Sequence, residues 1–389
     1  MASKIKTKIK CDIVICGAGL SGLSLAYQAL KLGIWLNQNI IIVDQSSKTK
    51  DDRTWSFWKK EATFFDQLIS KSWSSLSIYS QTGDRLSLNI GGYKYHSIRS
   101  IDFYNECFDY LSACKNVRFY FDEIIEVRQE HSNCSVRTLQ YDFACKYVFN
   151  SIYNKPSLQL NKQYFLQHFK GVLIESPDLQ LQTDLATLMD FRTGQEHGTT
   201  FFYALPFSKN QLFLEYTIFS KQLLKPGDYD LKIATYIKDV LKISNYKIIS
   251  DEFGVIPMTD HRFKRFEGNI VNIGTIGGDT RGATGYTFST VQKTVSRILD
   301  QWKADNNPFF KREVISSKHH LYDATLLNVL NSGGYPGEKL FVDLFRSTEA
   351  KDVFAFLDAE TTIWEDLKII KSLKPLPFVK AMVKVLTKH

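Results

Sequence analysis

The chain has 389 residues, with 49 Lys and Arg against 41 Asp and Glu for a net charge of +8, and is 44% hydrophobic and 23% charged. That is enough apolar material for two domains or one large one, and it excludes intrinsic disorder, a collagen-like repeat and a disulfide-stapled scaffold as descriptions of the whole. The basic residues form no dense stripe, so no nucleic-acid partner is expected, while attraction to an anionic membrane surface stays open.

A lysine-rich start precedes an apolar run, but Asp12 interrupts it and no small-residue cleavage site follows, so no signal peptide is expected. Residues 11–16, Cys-Asp-Ile-Val-Ile-Cys, predict a buried parallel strand. Gly17-Ala-Gly19-Leu-Ser-Gly22 follows, then a helix from Leu23 that ends at Gly33, and a second strand from Ile40 that closes on Asp44. In this arrangement the first glycine permits a tight turn, the second admits a pyrophosphate to the backbone, and the third lets helix and strand pack closely. The helix N-terminus attracts phosphate, and an acid where Asp44 stands hydrogen-bonds a ribose hydroxyl. The pattern predicts a dinucleotide site for FAD or NAD, since Asp44 disfavours a 2′-phosphate. Its N-terminal position favours FAD, whose far end needs a late contact region. Residues 272–288, with Gly274, Gly282 and Gly285, offer one between a strand and a helix.

Asp52-Arg-Thr-Trp55-Ser-Phe57-Trp58 gathers three aromatics in four positions. The chain is rich in aromatics overall, at 14%, which fits either core filling or the walls of a pocket for a large apolar ligand. Residues 201–208 and 212–220 read as two strands joined by a polar turn. Alternation places Phe213, Glu215 and Thr217 on one face and Leu214, Tyr216 and Ile218 on the other. A carboxyl beside Phe213 is either buried and used or sits on an exposed edge. The six cysteines show no metal-like spacing and read as small buried residues in a reducing compartment; His96, His168 and His197 read as structural, and no metal is expected. No apolar stretch reaches the ~18 residues of a spanning helix. The tail from residue 378 is a basic amphipathic helix, with Lys380, Lys384 and Lys388 on one stripe, that suits either a membrane surface or docking on the body.

Together these motifs resemble the bacterial-type lycopene cyclases over about residues 10–345. The carriers are the glycine fingerprint, Thr54-Trp55-Ser-Phe57, Leu188-Met-Asp190-Phe-Arg, Tyr203-Ala-Leu-Pro206-Phe, Phe213-Leu-Glu215-Tyr-Thr217, Ile256-Pro257-Met258 and Gly282-Ala-Thr-Gly285-Tyr-Thr-Phe288. Two features depart from the family pattern: Tyr216 stands where many members carry a second acid, and Asp279 lies four positions beyond Thr275. The resemblance implies an FAD-dependent lycopene beta-cyclase, an isomerase whose flavin is kept reduced by NADPH or NADH. It implies Glu215 as the catalytic residue and Trp55, Phe57, Trp58, Asp190, Phe213 and Thr217 around the substrate. Gly17, Gly19, Gly22, Asp44, Gly274, Gly282 and Gly285 would hold the cofactor. The alternative is a flavin monooxygenase or prenyl-chain reductase of the same fold.

The expected fold is α/β: a Rossmann-like FAD-binding domain of the aromatic-hydroxylase and geranylgeranyl-reductase type over residues 1–70, 95–150 and 245–330. An antiparallel-sheet substrate domain takes 71–94 and 155–245, and a helical C-terminal region takes 331–389. The expected location is cytoplasmic, peripheral to the inner membrane. The sequence carries no signal of oligomeric state.

Overall fold

The computed structural model describes residues 6–157 and 162–387. Ile13–Cys16 and Ile40–Asp44 are buried at every position, the pattern of parallel strands covered on both faces, and they pair at the centre of a six-stranded sheet. Its order is Phe266–Glu267, Ile270–Asn272, Tyr147–Asn150, Ile13–Cys16, Ile40–Asp44, Val117–Phe121, parallel except for the terminal hairpin. Helices Leu20–Lys31, Ser100–Ser112 and Phe288–Asp305 lie on one face and bury Leu23, Phe103 and Trp302 there. A four-stranded sheet covers the other face, and in it the lysine-rich Thr7–Lys10 is an edge strand parallel to Tyr141–Cys145. Cys16, Cys134 and Cys145 fill the space between these two sheets, and all six cysteines are free thiols.

The second large sheet has seven strands, in the order Lys247–Thr259, Tyr164–Glu175, Gln211–Ser220, Thr199–Pro206, Leu185–Asp190, Ser75–Tyr79, Arg85–Leu88. Leu185–Asp190 and Ser75–Tyr79 run parallel; the other pairs are antiparallel. Leu214, Tyr216 and Ile218 point to one face, where helix Pro226–Asp239 buries them. Phe201, Phe213 and Phe219 point to the other, beneath the C-terminal helices between Ser317 and Leu386. The edge strand Lys247–Thr259 carries a bulge where Leu173 pairs Ser250 and Ile174 pairs Ile248. A three-stranded sheet, Thr54–Lys59, Lys94–Arg99 and Lys71–Trp73, bridges the two large ones. This is the α/β architecture with an antiparallel sheet and a helical C-terminus that the sequence predicts. Among the described residues no helix is long and apolar enough to cross a membrane.

Two buried ion pairs fix the late glycine-rich turn. Asp279, fully buried, pairs with Arg265 at 2.6 Å and accepts the Gly274 N–H at 2.6 Å and the Thr294 hydroxyl at 2.6 Å. This acid is therefore spent on the turn itself. Arg281, 2% exposed, makes a two-pronged contact with Asp323 of helix Ser317–Ser332 at 3.0 and 2.8 Å. Removing one partner of such a pair strands the other charge in the interior, at a cost of about 3–5 kcal/mol. Asp323→Ala should lose stability on that scale in chemical denaturation, whereas the double variant Arg281→Met/Asp323→Leu should recover most of it.

Candidate active site

The two glycine regions meet in one cleft. Gly22 is held so close to the first turn that a Cβ there would sit 2.0 Å from the Gly17 carbonyl oxygen, which is why helix Leu20–Lys31 can start directly against its strand. Gly19 is the N-cap, with no side-chain cap and nothing within 4 Å of the space a Cβ would take. The first helical N–H groups therefore open onto the cleft unpartnered by any cap. Gly274, at φ +66°, comes so close to this helix start that a Cβ would lie 2.6 Å from the Ser21 Oγ. Gly19, Ser21, Gly274, Thr275 and Gly285 line a cleft with about 1560 Å3 of empty space. Asp44 accepts the Ala18 N–H at Oδ2 (2.7 Å) and the Ser46 N–H at Oδ1 (2.8 Å), with Lys48 3.3 Å from the latter, which tightens the turn; Oδ2 keeps a lone pair for a further donor. An open helix start, two facing turns and a carboxylate suit an anionic dinucleotide. Gly17 and Gly22 stand behind the turn, and Gly282 packs on the Thr259 carbonyl and Asp323, outside this cleft.

The opposite wall is the seven-stranded sheet. Glu215 lies in a row that crosses four strands, paired with Tyr203 on one side and with Gly171 on the other, and Gly171 pairs in turn with Glu252. Thr217, one step along the same face, donates its hydroxyl to Glu215 Oε1 at 2.6 Å. No cation pairs with this carboxyl among the described residues. Burial, then the negative charge of Glu252, push the Glu215 carboxyl up to about 8 against the weaker pull of the Thr217 hydroxyl. It is therefore predominantly protonated at neutral pH. Tyr216, at the departure from the family motif, points to the other face under helix Pro226–Asp239, where its ring packs 5.0 Å from Phe202.

Trp55 and Phe213 line the cleft with Glu215. Phe57 does not reach it: its ring is stacked at 4.1 Å on Phe288, in the core behind. Asp190 is 1% exposed beneath the opposite face of the sheet, bound by Arg192 and by the Tyr236 hydroxyl at 2.6 Å, a structural cluster remote from the cleft. Trp58 faces a second cavity, stacked at 4.5 Å on Phe354, with its indole N–H donating to Asp358 at 2.9 Å. That cavity, with about 1110 Å3 of empty space, lies between the sheet and the C-terminal helices, walled by Leu188, Phe201, Leu344 and Phe354. Tyr203 and Tyr286, whose hydroxyls are 3.5 Å apart, belong to the walls of both cavities.

Sequence reasoning missed Glu252, Tyr95, Tyr203 and Tyr286. The two last stand in quoted motifs but carry no charge to mark them. Glu252 lies in Asp251-Glu-Phe-Gly254, unremarkable until strand register sets it in line with Glu215. Among the described residues, no group of His, Cys, Asp and Glu gathers as metal ligands.

A sequence from Arabidopsis thaliana described as lycopene beta cyclase, chloroplastic, is 26% identical over 297 residues, 71% of this chain and 56% of that one. Neoxanthin synthase, chloroplastic, from Solanum tuberosum is 26% identical over 304 residues, 71% and 57% of the two chains. The chain thus spans little more than half the length of these relatives. A geranylgeranyl bacteriochlorophyll reductase-like protein from Thermoplasma acidophilum superposes with a TM-score of 0.62 at 11% identity, covering 97% of this chain and 100% of that one, a likeness of fold alone. The family model described as lycopene cyclase protein matches residues 12–384, nearly the whole chain, and the protein belongs to the lycopene cyclase family.

Proposed function

We propose that the protein is an FAD-dependent carotenoid cyclase that closes the acyclic ends of lycopene or a related carotenoid into β-ionone rings, towards γ- and β-carotene. The observation that carries this reading is Glu215, a carboxyl kept in its acid form on a cleft wall that faces a dinucleotide-type turn. Membership of the family supports it, as does a plant relative described as a lycopene beta cyclase.

The N–H groups at the start of helix Leu20–Lys31, the backbone of Gly274 and Thr275, and the Asp44 carboxylate would hold FAD. Bound and kept reduced by NADPH or NADH, FAD supplies an electron-rich ring system next to the reacting chain. Glu215 gives its proton to the terminal alkene of the polyene. The tertiary cation that results is attacked by the neighbouring alkene, which closes the ring and moves the charge onto it. Glu215, now a carboxylate, takes a ring proton and is restored, so the product is an isomer and no electrons are exchanged. Trp55, Phe213, Tyr95 and Tyr203 offer aromatic faces to the cation, and the apolar walls keep out the water that would quench it. The Thr217 hydroxyl fixes the orientation of the acid.

The remaining hydrocarbon suits the apolar chamber behind Tyr203 and Tyr286. Phe378 and Met382 of helix Pro375–Leu386 line that chamber, while Leu376, Val379, Val383 and Leu386 on the same helix are 55–70% exposed beside Lys380 and Lys384. Lys388, the last of the predicted basic stripe, lies outside the described residues. An exposed apolar and basic stripe over an apolar chamber suits uptake from an anionic lipid surface, with the protein peripheral to the cytoplasmic membrane.

Glu215→Gln should lower cyclisation by about 100-fold or more with FAD binding intact, read as persistence of red colour in a lycopene-accumulating bacterial strain; unchanged activity would remove Glu215 from the reaction. Because the acid form is the active one, wild-type turnover should be full at neutral pH and fall as pH rises through about 8. Leu344→Trp, which fills the chamber, should cut carotenoid turnover while leaving the flavin content unchanged. The double change Val379→Asp/Val383→Asp should reduce co-sedimentation with anionic vesicles without altering the fold by circular dichroism.

A further inference from the structure

Glu252 is half-buried and has no role in the reaction as described so far. Its Oε2 accepts the Thr54 hydroxyl at 2.6 Å, and its Oε1 has no hydrogen-bond partner among the described residues. A buried carboxylate oxygen left bare calls for a reason. The register supplies one. Gly171 pairs with Glu215 on one neighbouring strand and with Glu252 on the other, so the two carboxyls project from one face of the sheet on either side of a position that has no side chain. Two inter-strand spacings of about 4.8 Å separate their backbones, within reach of two glutamate side chains. A Cβ at Gly171 would lie 2.5 Å from the Phe213 ring and 3.0 Å from Glu252 Cγ. The gap is thus taken up by the Phe213 ring and the Glu252 stem.

The surroundings of the two acids differ. Glu252 has the Thr54 hydroxyl and the nearby guanidinium of Arg53, opposed by the charges of Asp51 and Asp52 from the same segment. Glu215 has the Thr217 hydroxyl, and the phenols of Tyr95, Tyr203 and Tyr286 from three other elements, all held protonated by burial. Only Glu252 has a cation near it. When two carboxyls compete for one proton, the better-solvated anion is the one that ionises.

We propose that Glu252 is a positioning residue for the proton donor: across Gly171 the two carboxyls hold one proton between them, with the charge on Glu252 and the proton on Glu215. This rests on the reading of Glu215 as the acid. Burial drives both groups up, Glu215 to about 8 and Glu252 to about 7, in the order that the surroundings dictate. The pairing serves both halves of the reaction. Before proton transfer, the Glu252 charge keeps Glu215 in its acid form. After transfer, two carboxylates face each other, and that repulsion makes Glu215 a stronger base towards the ring proton. The proton that Glu215 loses to the alkene is replaced by the one that the ring gives up, and Glu252 exchanges no proton in the cycle.

The test is Glu252→Gln in the flavin-loaded protein, read by infrared absorption of protonated carboxyls across pH, with Glu215→Gln identifying the Glu215 band. The expected result is a Glu215 midpoint about one pH unit lower, a tenfold change in proton affinity. The alkaline limb of activity should move with it, and Glu252→Asp should keep the wild-type midpoint. A loss of amplitude with an unmoved midpoint would overturn the proposal, as would a wild-type Glu215 already ionised at pH 7. If Glu252→Gln does not fold, Arg53→Gln replaces it: removing the cation should raise the Glu252 midpoint and, with less charge on Glu252, lower that of Glu215, and an unmoved Glu215 midpoint overturns the pairing. The infrared arm needs no turnover, so a shifted band without carotenoid cyclisation in any variant leaves the pair standing and removes the cyclase reading instead.

Discussion

A glutamic acid kept neutral with no cation beside it is the constraint on which the site depends. Burial of Glu215 disfavours its charge, and an Arg or Lys at hydrogen-bond distance would reverse that at once. The surrounding structure keeps such groups away. Arg281, Arg265 and Arg192 are each committed to a nearby aspartate, and the side chains in the Glu215 row are a tyrosine, a glycine and a second acid. Of these, the Arg281–Asp323 pair braces the late turn against helix Ser317–Ser332, so the scaffold's cations stabilise the fold without discharging the acid.

The two large sheets divide the work. The parallel sheet ends in turns that expose backbone N–H groups, the usual location of nucleotide sites in such folds. The antiparallel sheet presents one face to the cleft and to the apolar chamber, and sends the other beneath helix Pro226–Asp239. Tyr203 and Tyr286 stand where cleft and chamber meet, an aromatic partition with hydroxyl tips. A polar reaction centre and a long apolar reservoir are thus neighbours across one aromatic wall.

The local parts of this arrangement were legible in the sequence. The strand-glycine-helix-strand unit is contiguous, and the two-residue period around Glu215 assigns Phe213 and Thr217 to its face, as observed. Side-chain roles within motifs were not legible. Trp55, Phe57 and Trp58 cluster in sequence, yet a strand sends neighbours to opposite sides, so Trp58 reaches the chamber while Phe57 stacks in the core. The family resemblance implies Asp190 as a substrate-pocket residue, but its partner Tyr236 is 46 positions away on a helix whose docking no local pattern reveals. Glu252 was invisible for the same reason: its meaning lies in long-range register.

The strand that carries Glu252 is at the edge of its sheet and is paired along one side only. Its exposed start, Lys247 to Ile249, and the bulge at Leu173 and Ile174 absorb irregularity before the pairing reaches Gly171. Edge strands open locally more readily than central ones, at a free energy below that of global unfolding. The acidity of the pair is thus tied to one peripheral strand: opening it would admit water and return both carboxyls towards ordinary acidity.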